Sequence, residues 1–445
     1  MPSPNLLSSP APVQLAHWIA NPVGFMEGAA KRYDDFFTAK IGFTLGDLVF
    51  VSHPQAIQQL MQERRTFLAP GYANRLIEPL VGEYSVIMRE GDRHRRARQL
   101  LMPPFHGERL RTYGELICHI TKSVMNQLEV GQPCSARSVM QQISLQVILE
   151  AVFGLHEGEA SQQLKQLLAA MTEIFRSPLT SSFLFFRFLQ QDFLPWNPWK
   201  YFVHQRQQLD QLLYAEITQR RAQAESTRQD ILSLLLSARD EAGNPMTDQE
   251  LRDELMTLLF AGHETTATAM AWALYWSHFL PEVKEQLLQE LASADEDPMS
   301  IARLPYLTAV CQETLRIYPV AMLMFPRIAQ EPVELMGHPL EPGTAVMGCI
   351  YLVHQREELY PHPKQFQPER FLERQYANWE FLPFGGGSRR CVGDALALLE
   401  MKLVLATILK HYELDLVGSK PEQPQRRGVT LAPSGRVKMV INKKG

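Results

Sequence analysis

The most reactive feature of the sequence is one cysteine set behind a glycine-rich turn. It lies in Phe384-Gly385-Gly386-Gly387-Ser388-Arg389-Arg390-Cys391-Val392-Gly393. Glycines let the backbone fold tightly and bring amides toward the sulfur, and a helical pattern starting at Asp394 puts a helix N-terminus beside it. Together with the flanking arginines, these groups favour a thiolate. A single thiolate held this way suits one axial bond to a haem iron, where its electron donation helps break an O–O bond. Cys118, Cys134, Cys311 and Cys349 lack such flanks and read as small core residues.

A second constellation is Ala261-Gly262-His263-Glu264-Thr265-Thr266. An acid followed by a hydroxyl is costly in an otherwise apolar helix unless it has partners or work. Oxygen activation consumes protons, and Thr265 with ordered water could relay them from Glu264. Gly262 would let a cofactor or oxygen approach the backbone closely. The competing reading has Thr265 bonding back to the carbonyl one turn earlier, which bends helices. Glu313 and Arg316 are three apart on a helix ended by Pro319 and can pair. In the basic run Gly91 to Arg98, His94 and Arg98 are four apart and reach the same object. Asp92 reads as that helix's cap.

These groups need long helices to position them. Thr247-Asp248-Gln249-Glu250 forms a capping box, and the apolar pattern runs on to Leu280 before Pro281, about 50 Å at the usual rise. Being apolar nearly all round, this helix is expected to be buried. Glu264 and His263 at its middle argue against a membrane span. Phe43 to Ser52, Val333 to Val346 and Val429 to Ile441 read as strand material, whereas most of Pro54 to Tyr318 has helical spacing. The expected fold is therefore mainly α with a small β-rich region. With no polar linker or repeat, we expect a mobile Ser/Pro-rich leader over residues 1–15 and one domain over 16–445. The chain has 445 residues, 45% hydrophobic, with 44 Lys plus Arg against 48 Asp plus Glu. That balance excludes a disordered tail and a basic nucleic-acid binder. Without a C-x-x-C, the five cysteines suit a reducing compartment. The first 70 residues show no signal-peptide core or anchor, so the expectation is a soluble, cytoplasmic protein.

The cysteine segment resembles the haem-ligand signature of the cytochrome P-450 superfamily, F-x-x-G-x-R-x-C-x-G, at Phe384, Gly387, Arg389, Cys391 and Gly393. Ala261 to Thr266 resembles the oxygen-activation motif of that family's central helix, Glu313 to Arg316 its E-x-x-R, and Pro368 to Phe371 its P-E-R-F segment. Four motifs in the family order make the resemblance specific. It implies a fold enclosing haem b between the central helix and the cysteine loop. Cys391 would be the iron ligand, Glu264 and Thr265 the proton-delivering pair, and Gly262, Phe384 and Gly393 close neighbours of the cofactor. It also implies a carboxylate clamp of His94, Arg98, Arg327 and Arg389 on the propionates, and a buried network of Glu313, Arg316 and Arg370 that orients the thiolate loop. The leftover Arg93, Arg95, Arg96 and Arg390 would face an acidic electron donor.

The implied reaction is insertion of one oxygen atom from O2 into a hydrophobic substrate. Positions matching substrate-contact regions, among them Phe183, Phe186, Phe260, Ala261, Val320, Met322 and Leu431, are apolar. The wording of the two central motifs resembles the retinoic-acid-hydroxylating and sterol or terpenoid branches, which points to a retinoid or related isoprenoid. Arg75 or Arg187 could meet a substrate carboxylate. No flavin or nicotinamide fingerprint is present, so electrons are expected from a ferredoxin and its reductase, and a monomer is the family expectation. A haem-thiolate isomerase or peroxygenase is the alternative enzyme, and a haem-binding sensor the alternative without catalysis.

Overall fold

The computed structural model describes residues 4–42, 45–63, 65–154, 159–174, 198–223, 228, 230–428, 430–435 and 437–444. Helices dominate. Those that matter to the site are α1 (Ala11–Ala20), α2 (Pro22–Tyr33), α3 (Pro54–Gln62), α4 (Gly91–Leu101), α5 (Arg109–Asn126), α6 (Ala136–Phe153), α7 (Pro198–Ala222), α8 (Asp248–Phe279), α9 (Pro305–Ile317) and α10 (Asp394–His411).

The long central helix α8 starts where the sequence places it. Thr247 Oγ1 accepts from the Glu250 amide at 3.2 Å and the Glu250 carboxylate accepts from the Thr247 amide at 2.9 Å, so both bonds of the capping box form. The helix packs against α6 on one side and α10 on another, and α10 packs on α5. Alanines at 267, 269, 271 and 273, all buried, let these neighbours approach closely. Trp272 and Tyr275 fill the wider spaces. Between Leu251 and Ser277 burial along α8 is broken only around the middle, where Ala261 is exposed and Leu258, Phe260, Gly262, Glu264 and Thr265 are partly so. This gap in the packing is where the site lies.

A five-stranded sheet frames the other side. Its order is β1 (Phe36–Ala39), β2 (Leu48–Val51), β5 (Ala345–Gly348), β4 (Arg327–Ala329), β3 (Phe67–Leu68). Strands β2 and β5 run parallel, with Leu48 opposite Ala345, and the remaining pairs are antiparallel. The hairpin β6 (Pro424–Arg427) and β7 (Thr430–Pro433) lies on α8, where the Trp272 indole donates to the Leu431 carbonyl at 3.2 Å.

Two details differ from the sequence reading. Residues 4–8, assigned to a mobile leader, run beside β1: the Leu7 amide donates to Thr38 O at 2.9 Å, and Thr38 Oγ1 to Pro4 O at 2.6 Å. The edge of β1 supplies partners that local composition cannot reveal. At α4 the cap position falls on Glu90, and Asp92 sits in the first turn, paired with Arg95 at 2.9 Å.

Candidate functional site: a thiol loop, a cation cradle and an open helix face

The thiol loop closes on itself. The Cys391 amide donates to the Phe384 carbonyl at 2.9 Å, and the Gly385 amide to Leu382 at 2.9 Å. Gly385 and Gly387 adopt φ of +66° and +65°, which suits glycine. Gly386 has a different constraint, since a Cβ there would lie 1.9 Å from Met61 Cε of α3. Cys391 is exposed while Cys311 and Cys349 are buried. Its thiol is nonetheless raised above its ordinary value by burial among protein atoms, against the Gly393 amide, Arg98 and Arg390, which act to lower it. Desolvation thus outweighs the glycine amide and the arginines expected to favour a thiolate, so a metal would have to displace the thiol proton for the sulfur to act as a ligand.

Cations gather beside this loop. Arg98 Nη1 donates to the Arg390 carbonyl at 2.5 Å. Arg389 donates to four carbonyls: Val86 at 2.9 Å, Ile87 at 3.4 Å, and Ala69 and Arg89 at 2.5 Å each. Arg327, at the start of β4, donates to Phe325 O at 2.8 Å and Gly386 O at 3.5 Å. Burial lowers all three guanidinium values, Arg327 and Arg389 each to about 10, and the charge of Arg389 lowers Arg327 further, as that of Arg98 does Arg389. None of the three forms an ion pair with a carboxylate among the described residues. Mutually repelling, desolvated cations held mainly by carbonyl dipoles, with Glu90 near Arg389 and Asp394 near Arg98 as partial counter-charges, fit an anionic ligand bearing two carboxylates, as haem b does. His94 is buried on the same face of α4, one turn before Arg98.

The open face of α8 presents Ala261 and Thr265, one turn apart. The Thr265 hydroxyl donates to the Ala261 carbonyl at 2.5 Å, and the buried Thr266 makes the matching bond to Gly262 at 2.8 Å. Glu264 turns toward α6, accepting from Gln141 Nε2 at 2.6 Å and pairing with Arg137. Gly262 serves helix packing, because a Cβ there would stand 3.1 Å from Ile148 Cδ1 of α6. His263 is buried and bonded through Nδ1 to the Leu259 carbonyl at 2.8 Å, and burial lowers its pKa.

Behind the thiol loop, Glu313 and Arg316 on α9 are fully buried and paired two ways, at 2.6 and 2.8 Å. Arg370 Nε reaches the same carboxylate at 3.2 Å, and the Gln367 amide at 2.8 Å. Arg316 also donates to the His354 carbonyl at 2.8 Å. His354, unremarkable in sequence, accepts the Leu382 amide on Nε2 at 3.0 Å. Burial and the Arg316 charge lower its pKa to about 3, so the ring stays a neutral acceptor. The network therefore reaches the root of the thiol loop through a histidine whose partners lie far off in sequence.

The expected substrate positions divide. Phe183, Phe186 and Arg187 lie outside the described residues. Ala261 is open and Phe260 half-buried, whereas Val320, Met322 and Leu431 are core. Leu431 bonds by its amide to Val320 O at 2.9 Å and shares an apolar cluster with Met322. In this stretch the exposed or half-exposed residues are Ala321, Leu323 and Phe325, the opposite parity. Because Val320 to Phe325 is apolar throughout, alternation carries no parity signal in the sequence. Arg75 caps a short turn without an ion pair to a carboxylate among the described residues. Of the cations assigned to a donor surface, Arg96 is spent on Asp240 at 2.6 Å and Glu250 at 2.9 Å, and Arg390 pairs with Asp394 at 2.7 Å. Arg93 and Arg95 remain exposed.

Comparison with known proteins agrees with this geometry. The family model Cytochrome P450 matches residues 10–439. The Mycobacterium tuberculosis protein named "Putative cytochrome P450 135B1" is 34% identical over 435 residues, covering 97% of this chain and 89% of the relative. "Putative cytochrome P450 137" of the same organism is 32% identical over 404 residues, covering 91% and 82%. Among solved structures, "Retinoic acid bound cyanobacterial CYP120A1" superposes with a TM-score of 0.84 at 23% identity, covering 99% of each chain. The heme domain of cytochrome P450DA gives 0.86 at 21% identity, covering 99% of this chain and 97% of that one. An accessible thiol on a closed loop, a cation cradle and a whole-chain match lead to one conclusion: this chain belongs to the cytochrome P450 family and is a haem-thiolate monooxygenase.

Proposed function

We propose that the chain hydroxylates a long apolar substrate of the retinoid or related isoprenoid class, as a cytoplasmic monomer supplied with electrons by a ferredoxin and its reductase. The observation that carries the substrate class is that the open residues of the regions read as substrate-lining are all apolar: Phe260 and Ala261 on α8, and Ala321, Leu323 and Phe325 in the stretch after α9. A polar substrate would leave its own groups unpaired there. The protein described as retinoic acid bound, CYP120A1, shares the fold. No described helix is long and apolar enough to cross a membrane.

Bound haem b supplies activation of O2 and insertion of one oxygen atom into a C–H bond. The chain's own work is to hold and to protonate. Cys391 would ligate the haem iron as the thiolate. Arg98, Arg327 and Arg389, with His94 on the same face as Arg98, would hold its propionates. Phe384 and Gly393 frame the thiol on either side. Thr265 offers lone pairs on the open face of α8 while Arg137 and Gln141 hold Glu264 one residue away. The Glu313, Arg316 and Arg370 network keeps the thiol loop in register.

Titration of all-trans-retinoic acid into the ferric holoenzyme should move the Soret band, and turnover with a ferredoxin system should give an oxidised product. An unmoved band with no product overturns the substrate class.

A further inference from the structure

Between α7 and α8 one guanidinium is left without a hydrogen bond among the described residues. Arg252 of α8 is buried and serves both nearby aspartates: its Nε donates to Asp210 Oδ1 at 2.8 Å and its Nη1 to Asp253 Oδ1 at 2.5 Å. The Tyr84 amide occupies Asp253 Oδ2 at 2.7 Å. Arg206 of α7, one turn before Asp210, has only the other Asp210 oxygen, at 4.0 Å. Its Nε is buried without a hydrogen-bond partner, while the side chain as a whole is 27% exposed. Such a group has lost part of its water and is still within reach of a ligand. Burial lowers its pKa and the Arg252 charge lowers it further, against Asp210, Asp253 and the more distant Glu78.

The pairing of the two helices gives its direction. Arg221 of α7 pairs with Asp248 of α8 at 2.6 Å, and Asp210 with Arg252, so α7 descends as α8 ascends. Arg206 therefore lies further along α8 than Arg252, on the side of Phe260 and Ala261. From Asp253, whose charge it feels, to the open Ala261 is about 12 Å at the usual helical rise. The segment that closes this corner also leads to the cation cradle. Glu78 stands at its start, a Cβ on Gly82 would lie 2.2 Å from Asp253, and Ser85 accepts from Thr257 at 2.7 Å. Val86 and Ile87, next along it, accept from Arg389.

We propose that Arg206 binds the carboxylate of an acidic apolar substrate whose far end lies over the open face of α8. This rests on the apolar-substrate reading above and adds a charged end to it. A molecule held there is extended, and it is oxidised at the end remote from its carboxylate. Arg75 is exposed, where an ion pair is worth little. The partly desolvated Arg206 pairs in a lower dielectric and more strongly.

The test is titration of the ferric holoenzyme, followed at the Soret band, with two matched pairs: all-trans-retinoic acid against retinol, and hexadecanoic acid against hexadecanol. The parent is expected to bind at least one acid more tightly than its alcohol. Arg206→Gln should weaken that acid by about tenfold or more, the worth of one charge-assisted hydrogen bond, and leave the alcohol unchanged. Arg206→Lys should recover part of the loss, and Arg75→Gln should bind as the parent does. Tm and haem content of Arg206→Gln should match the parent, because the residue has no hydrogen bond to lose. Equal acid binding by parent and Arg206→Gln, an equal loss for acid and alcohol, or a loss that appears in Arg75→Gln instead overturns the proposal. An acid preference confined to the fatty pair and lost in Arg206→Gln keeps the carboxylate site and rejects the retinoid class. Binding of neither acid overturns both.

Discussion

The Thr265 hydroxyl spends its own hydrogen on the Ala261 carbonyl, so at rest it offers only lone pairs to the cleft. To pass a proton onward it must rotate away from that carbonyl and be re-protonated from behind, and Glu264 is the nearest acid in sequence. That carboxylate is held by Arg137 and Gln141 of α6. Thr265→Ala, assayed as product formed per O2 consumed, should lower coupling by at least about tenfold, less than the roughly hundredfold at the low end of what a positioned proton donor contributes to rate. Arg137→Ala should lower coupling less and alter its pH profile, because the acid stays but loses its position. Unchanged coupling in Thr265→Ala would remove this residue from the relay. The acid–hydroxyl pair was legible in sequence because adjacent residues share a motif. Arg137 and Gln141 were not, since their pairing with Glu264 spans more than a hundred residues and leaves no local spacing.

Among elements, the thiol loop has the most outside support. It rests on Met61 of α3, on Arg98 of α4, and on His354, which links it to the Glu313 and Arg316 pair. Glu313→Ala would leave Arg316 charged and unpaired at full burial, at a cost of about 3 to 5 kcal/mol. Chemical unfolding and haem content should both register the loss, and a variant as stable and as haem-replete as the parent would show the pair to be dispensable. The loop, the two helices α8 and α10 and the E-x-x-R pair could all be read from capping, periodicity and glycine usage. The segment from Val320 to Phe325 could not, because with every residue apolar only the tertiary fold decides which parity faces the cleft. Arg96 was misread for a related reason: a basic run resembles a docking face until the chain places Asp240 and Glu250 against it.

At the scale of the whole molecule, the packing of α6, α8 and α10 encloses a carboxyl with little compensation. Glu400 of α10 is buried, and its Oε1 has no hydrogen-bond partner. Burial raises its pKa from the ordinary 4.5 to about 8, against the nearby Ser144 hydroxyl of α6, which acts to lower it. The folded state thus keeps a proton that the unfolded chain releases, so this residue's contribution to stability falls as pH rises from 4.5 to about 8 and is level above. Glu400→Gln should flatten that part of the pH profile and stabilise the fold at pH 8 and beyond by about a few kcal/mol, read as a higher Tm. A variant whose Tm tracks the parent across the range would show that the carboxyl titrates normally.

Arg389 bears on the timing of cofactor exchange. Its four carbonyl bonds fasten residues 69–89 to the thiol loop using only the chain's own groups. A prosthetic group passing between that segment and the loop would enter or leave at the rate at which these bonds open locally. Arg389→Ala should speed transfer of haem to an apomyoglobin acceptor more than it lowers Tm. Arg389 then acts as a kinetic latch, setting how long one haem molecule resides in one protein molecule.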